Sequence, residues 1–239
     1  MKNFFAPCQD YLDEVKSIKK TDAYLVLYIM IWLGYSFWRS GYISAKAGDF
    51  LSETQMMMTA GISTALTVFL IFIFCKLRGQ KIRSLGLNSK YAKQSLLAGT
   101  LLSILYIVIF RMVHKGEIRS DIEMNSIFIF RILYEVFFVA LFEEIVIRVY
   151  TGMRLRALFK NKTLSVFVTG FLWALLHMPA YAASAQMGVF EYVAKGLWPL
   201  STYIVLHIIL NIIYSKYNNV IGGTLLHATI NILSWLYPV

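Results

Sequence analysis

The sequence predicts an all-α protein, a polytopic membrane helix bundle of about seven transmembrane helices. Three observations carry this expectation. Apolar residues make up 58% of the chain and charged residues only 15%, against roughly half and a quarter in a soluble domain. The apolar excess is gathered into blocks that contain no Asp, Glu, Lys or Arg: Ala23–Trp38, Thr54–Cys75, Gln94–Phe110, Thr163–Phe190, Gly196–Ser215 and Tyr217–Val239. The basic residues behind the formal net charge of +10 cluster between these blocks, as they do in cytoplasmic loops facing anionic lipid.

Residues 1–21 read as a short N-terminal cytoplasmic amphipathic segment, and residues 22–239 as a single transmembrane domain. No long apolar stretch precedes Cys8, so a cleaved signal peptide is not expected. A helix needs about 20 apolar residues to cross the hydrocarbon core. On that length the spans fall near 23–40, 54–75, 92–111, 126–150, 163–183, 197–215 and 219–237. Two segments are strongly basic: one holds Lys76, Arg78, Lys81, Arg83, Lys90 and Lys93, the other Arg148, Arg154, Arg156, Lys160 and Lys162. Excess Lys and Arg mark the cytoplasmic side, and two spans separate the segments. The N-terminus is then cytoplasmic and the C-terminus external. The turn at Arg111–Asn125 is mixed in sign and carries little orienting information. Basic charge distributed among spans points to a lipid bilayer as partner and away from nucleic acid. Two cysteines, Cys8 and Cys75, are too few for a disulfide framework or a Cys-rich metal site. No feature assigns an oligomeric state.

Ionisable groups at bilayer depth are costly and usually face a cavity or a partner. Arg131 and Glu135, at i and i+4, read as a self-neutralising structural pair. Glu144 and Arg148 share the same spacing, while Glu143 is turned about 100° from Glu144. One carboxylate held by an arginine, with another beside it left unpaired, is a way to build one structural acid and one reactive one. His177 stands in a long uncharged stretch, two residues before Pro179, which would open the helical ladder there. His227 and Asn231 lie at i and i+4 in the last span, after Gly222 and Gly223. His207 and Asn211 repeat that spacing one span earlier, and spacing alone does not choose between the two pairs. Taken singly, each group is equally explained by an exposed helix end or by hydrogen bonding between helices.

Together, Glu143-Glu144-x-x-x-Arg148, then Trp173-x-x-x-His177, then His227-x-x-x-Asn231 resemble the motifs of the CPBP family. These are the CAAX proteases and bacteriocin-processing enzymes, also called Abi. The resemblance covers residues 126–239. Its second motif usually begins with phenylalanine, where this chain has Trp173. Its last motif typically follows a glycine-containing turn, as His227 does, and this assigns His227 and Asn231 to the site, with His207 and Asn211 as lining or packing residues.

The resemblance implies a CAAX-protease-like fold and an intramembrane endopeptidase acting on a peptide or membrane-protein substrate. The eukaryotic and archaeal branch trims prenylated proteins, whereas bacterial members resemble processors of small peptides. The implied catalytic residues are Glu143, His177, His227 and Asn231, with Glu144 and Arg148 in support. No cofactor is favoured, although zinc on Glu143, His177 and His227 is possible chemistry. Against zinc, there is no His-Glu-x-x-His helix and asparagine is a poor ligand. Two competing expectations are a non-catalytic relative acting in bacteriocin immunity or as a scaffold, and a proton-coupled transporter. No repeated halves or paired broken helices support the transporter. Depth poses a condition. If α-helix ended at Arg148, Glu143 would lie about 8 Å deep and His177 about 20 Å. The two meet only if the helix continues past Arg148, which is then buried against Glu144.

Overall fold

A computed structural model describes residues 6–47, 53–114, 116–118, 126–195 and 198–237. Lys115 and residues 119–125, the centre of the mixed-sign turn, lie outside the described residues, as do residues 1–5 and 238–239. Every regular element among the described residues is helical. A short α1 (Gln9–Ser17) precedes α2 (Ala23–Ala47), α3 (Glu53–Leu77) and α4 (Ala92–Val113). Helical residues then run without a break from 126 to 159 (α5), followed by α6 (Lys162–Ser184), α7 (Val189–Lys195), α8 (Trp198–Tyr217) and α9 (Ile221–Leu236). Among the described residues, seven long helices overlap the seven stretches expected from the sequence, with the first and fourth running on to Ala47 and Phe159. By length and composition, α4 passes the test of a membrane-crossing helix on its own, and α7 with α8 passes as a sharply bent pair.

The apolar blocks form helices because, without water, each N–H and C=O must be paired within its own segment. Where these helices face outward they remain apolar. Leu97, Leu101, Leu105 and Ile109 on α4 are exposed, as are Ile62, Leu66 and Phe69 on α3. Soluble monomers rarely expose contiguous apolar patches beyond a few hundred Å². The interior is organised around α5, in which every residue from Glu144 to Leu155 is buried.

Residues 135–140 and 144–152 of α5 form wide π-type turns, with Leu141 N–H donating five residues back to Val136 O. Such turns are rare and often occur at functional sites. The helix continues through Gly152 to Phe159, where Lys160 adopts a left-handed conformation at φ 55°. The Asn161 side chain then accepts from Leu164 N–H at 3.1 Å, starting α6. The helix thus passes Arg148, the condition that the depth argument demanded.

Glycines bring α9 against its neighbours. A Cβ on Gly222 would overlap the Ser95 carbonyl of α4, and one on Gly99 would sit 2.6 Å from Gly222 Cα. The turn before α9 is tied down by polar bonds. Gly222 N–H donates to Ser95 Oγ at 3.0 Å, and Asn88 Nδ2 donates to the Asn218 carbonyl at 2.8 Å. At the N-terminus, α1 docks on the bundle. Cys8 N–H donates to Ser215 O at 3.0 Å, Tyr11 packs edge-on against Tyr214, and Asp10 pairs with Lys90 at 2.6 Å.

Candidate active site

Trp173 on α6 is the hub of the site. Only 1% exposed, it donates Nε1–H to Glu143 Oε2 at 2.7 Å. The Arg148 guanidinium lies 3.8 Å from its ring centroid. His177, His227 and Tyr203 meet it edge-on, with centroids at 5.6, 5.5 and 5.0 Å. Charge-assisted bonds of this length are among the stronger ones, and a cation over tryptophan contributes about 0.5–2 kcal/mol.

Glu143 and Glu144 both point toward this hub, although the sequence spacing suggests that Glu143 could point elsewhere. The wide turn beginning at Glu144 advances by only about 80° per residue in place of about 100°, which keeps neighbours closer to one face. Glu144, 1% exposed, pairs with Arg148 at 3.3 Å and accepts from His227 Nδ1 at 3.1 Å. Gly223 makes room for it, because a Cβ there would lie 2.8 Å from Glu144 Oε2. Glu143 faces the Nε2 atoms of His177 and His227 at 3.9 and 4.0 Å.

The second nitrogen of each imidazole is accounted for. His177 Nδ1 lies 2.9 Å from the Trp173 carbonyl, which only accepts, so Nδ1 carries the proton. Likewise His227 Nδ1 donates to the Glu144 carboxylate. Glu143 also lines a cavity of about 30 Å³ together with Leu33, Thr64, Phe142 and Trp173. A water needs at least about 10–15 Å³. Pro179 sits inside α6, which runs through it to Ser184.

Asn231 is not gathered into this cluster directly. Its Nδ2 donates to Glu135 Oε2 at 3.3 Å, and Glu135 pairs with Arg131 at 2.8 Å. The expected Arg131–Glu135 pair is therefore present, and it also binds a predicted site residue. Glu135 is an addition that the sequence reading missed. The available signal was its place eight residues before Glu143, about two turns along the same helix. Trp173 was noted for its place in the motif, but not for its N–H.

His207 lies behind the cluster and is 1% exposed. Its ring centroid is 6.3 Å from that of Trp173, and it is packed so closely on Gly170 that a Cβ there would approach it to 3.1 Å. Neither of its ring nitrogens has a hydrogen-bond partner among the described residues. Asn211 is further removed and lines a small cavity with Tyr11, Arg156 and Ser165.

Across a tetrahedral zinc site, ligand atoms about 2.0–2.1 Å from the metal lie roughly 3.3 Å apart. The carboxylate–imidazole spacings of 3.9 and 4.0 Å are wider, and the Trp173 N–H already engages Glu143 Oε2. No group of His, Cys, Asp and Glu among the described residues meets metal-ligand spacing. The arrangement does not fit zinc as it stands.

No curated protein and no solved structure matches the chain. Residues 125–233, the stretch that carries Glu135, Glu143, Glu144, Arg148, Trp173, His177, His227 and Asn231, match the family model described as type II CAAX prenyl endopeptidase Rce1-like, as a CPBP-family protein would.

Proposed function

We propose that the protein is an intramembrane endopeptidase that cleaves a peptide or membrane-associated protein with a glutamate-activated water. The observation that carries this reading is the convergence of Glu143 with His177 Nε2 and His227 Nε2. Gaps of 3.9–4.0 Å are too long for direct hydrogen bonds, and one water about 2.8 Å from each partner spans them. Glu143 takes a proton from that water, and the oxygen attacks the scissile carbonyl carbon. The carbonyl electron pair moves to oxygen. The resulting tetrahedral oxyanion collapses as the C–N bond breaks, and the proton passes to the leaving amine from Glu143 or through His177.

His227 serves the oxyanion. Its Nδ1 already donates to Glu144, so Nε2 donates in the imidazolium form. Asn231 contributes its second amide hydrogen while Glu135 holds the first. Each oxyanion donor is worth about 10²–10³ in rate. Glu144 and Arg148 hold His227 and the Trp173 ring in place. This mechanism routes no step through a metal. The seven long helices act as membrane spans, with residues 1–21 cytoplasmic and the C-terminus external, the orientation that the two basic segments support.

The test is cleavage of a membrane-peptide library by the purified protein in detergent, comparing wild type, Glu143→Gln, and wild type with chelator. We expect the variant to lose about 10²–10⁴ in rate and the chelator to have no effect. Cleavage abolished by chelator and restored by zinc would overturn the metal-free mechanism. Equal cleavage by Glu143→Gln would overturn the catalytic assignment and favour an immunity or scaffold role.

A further inference from the structure

At the other end of α5, beyond Gly152, the chain builds a second polar cavity that the proposed chemistry does not use. It has a volume of about 440 Å³ and is walled by Glu14 of α1, by Arg78, Gln80, Lys81 and Ser84 of the loop after α3, and by Arg154 of α5. Lys81 and Arg78 stand at its exposed rim.

Arg154 is the unusual member. It is 4% exposed, yet no carboxylate among the described residues lies within ion-pair distance of it. Its guanidinium stacks on the Tyr150 ring at 3.5 Å. Nη1 donates to Tyr150 O at 3.0 Å and Nη2 to Gln80 Oε1 at 2.6 Å. Nε is buried with no hydrogen-bond partner. A buried guanidinium without a counter-charge is costly unless something anionic completes its shell.

The local acids do not supply that charge. Asp22 lies against Arg78, 3.0 Å from its Nε. Burial pushes the Glu14 carboxyl above its ordinary range, against a smaller opposing effect from an Asn218 hydrogen bond. Positive charge is therefore in surplus around the cavity.

We propose that this cavity binds a phosphoryl anion, either the headgroup phosphate of an anionic lipid or a soluble phosphate, held by Arg154 and Lys81. A planar guanidinium with a mobile ammonium beside it suits phosphate oxygens. The inference stands apart from the proteolytic reading and does not need it.

The experiment is native mass spectrometry of the full chain in detergent with added phosphatidylglycerol or phosphatidylcholine, paired with thermal unfolding in millimolar inorganic phosphate. Lys81→Gln is the main variant, because an exposed rim lysine leaves the fold intact where Arg154→Gln risks losing it. Lys93→Gln, an exposed lysine on α4, is the control. We expect a single phosphatidylglycerol adduct, absent with phosphatidylcholine. Lys81→Gln should weaken it about fivefold, as expected for one basic residue at a membrane surface, and Lys93→Gln should leave it unchanged. Phosphatidylglycerol binding that inorganic phosphate does not displace assigns the site to a lipid headgroup. Phosphate stabilisation that is lost in Lys81→Gln assigns it to a soluble anion. Binding of neither ligand, or equal weakening by both lysine variants, overturns the proposal.

Discussion

Replacing Trp173 with phenylalanine isolates one hydrogen bond from everything else that the residue does. Phenylalanine keeps a ring for Arg148 to lie over, now 3.8 Å from the Trp173 centroid, and an edge partner for Tyr203. What disappears is the Nε1–H that donates to Glu143 Oε2 at 2.7 Å. A hydrogen bond to a charged group is worth about 1.5–3 kcal/mol. If that bond holds Glu143 toward the histidines, its loss lowers kcat about 10- to 100-fold, at about 1.36 kcal/mol per decade. KM should stay nearly constant, as expected where the lost bond acts on Glu143 and the chemical step. The smaller ring also leaves a void, costing about 1 kcal/mol and a few degrees in Tm. The assay is kcat and KM on one cleaved peptide, with thermal unfolding in the same detergent. Trp173→Leu serves as the comparison that also removes the aromatic packing. Wild-type kcat in Trp173→Phe would refute the positioning role, and so would a loss of activity that follows only the unfolded fraction.

Glu144→Ala should destabilise more than it repacks, because it leaves the fully buried Arg148 without its carboxylate. Such losses cost about 3–5 kcal/mol, and a fall of about 10 °C in Tm would show it, whereas an unchanged Tm would contradict the pairing. Gly222→Ala forces a Cβ into the Ser95 carbonyl, so we expect at least about 1–3 kcal/mol of destabilisation from overpacking, measured as a lower Tm or yield. The Tyr11 hydroxyl is buried on α1, and burial pushes its pKa up to about 12. Raised in the folded state, it contributes stability that is fully present below the unfolded value near 10 and is lost as pH rises through 12. Tyr11→Phe should therefore flatten alkaline destabilisation between those limits by up to about 2.7 kcal/mol, read by unfolding at stepped pH.

The sequence by itself determined the helices and the residues worth watching. Charge-free blocks of about 20 residues must become helices, since a backbone shielded from water has to satisfy its polar groups within one segment. Spacings of i and i+4 marked Glu144 with Arg148, Arg131 with Glu135, and His227 with Asn231. They also marked His207 with Asn211 equally well. Sequence spacing sets rotation about one helix axis and says nothing of distance between axes; the motif's glycine-containing turn pointed to His227, and packing supplied the contacts that set the two histidines apart. His227 reaches Glu144 because Gly222 lets α9 settle on α4 and Gly223 leaves room for the carboxylate. His207 faces Gly170 and ends without a hydrogen-bond partner among the described residues. The wide turns of α5, which bring Glu143 and Glu144 toward one hub, have no signature in the residue pattern. The attachment of Asn231 to Glu135 joins residues 96 apart in sequence, and the tryptophan in the second motif acquired its meaning only when its N–H was found on Glu143. These are contacts between helices, decided by how closely neighbouring backbones approach.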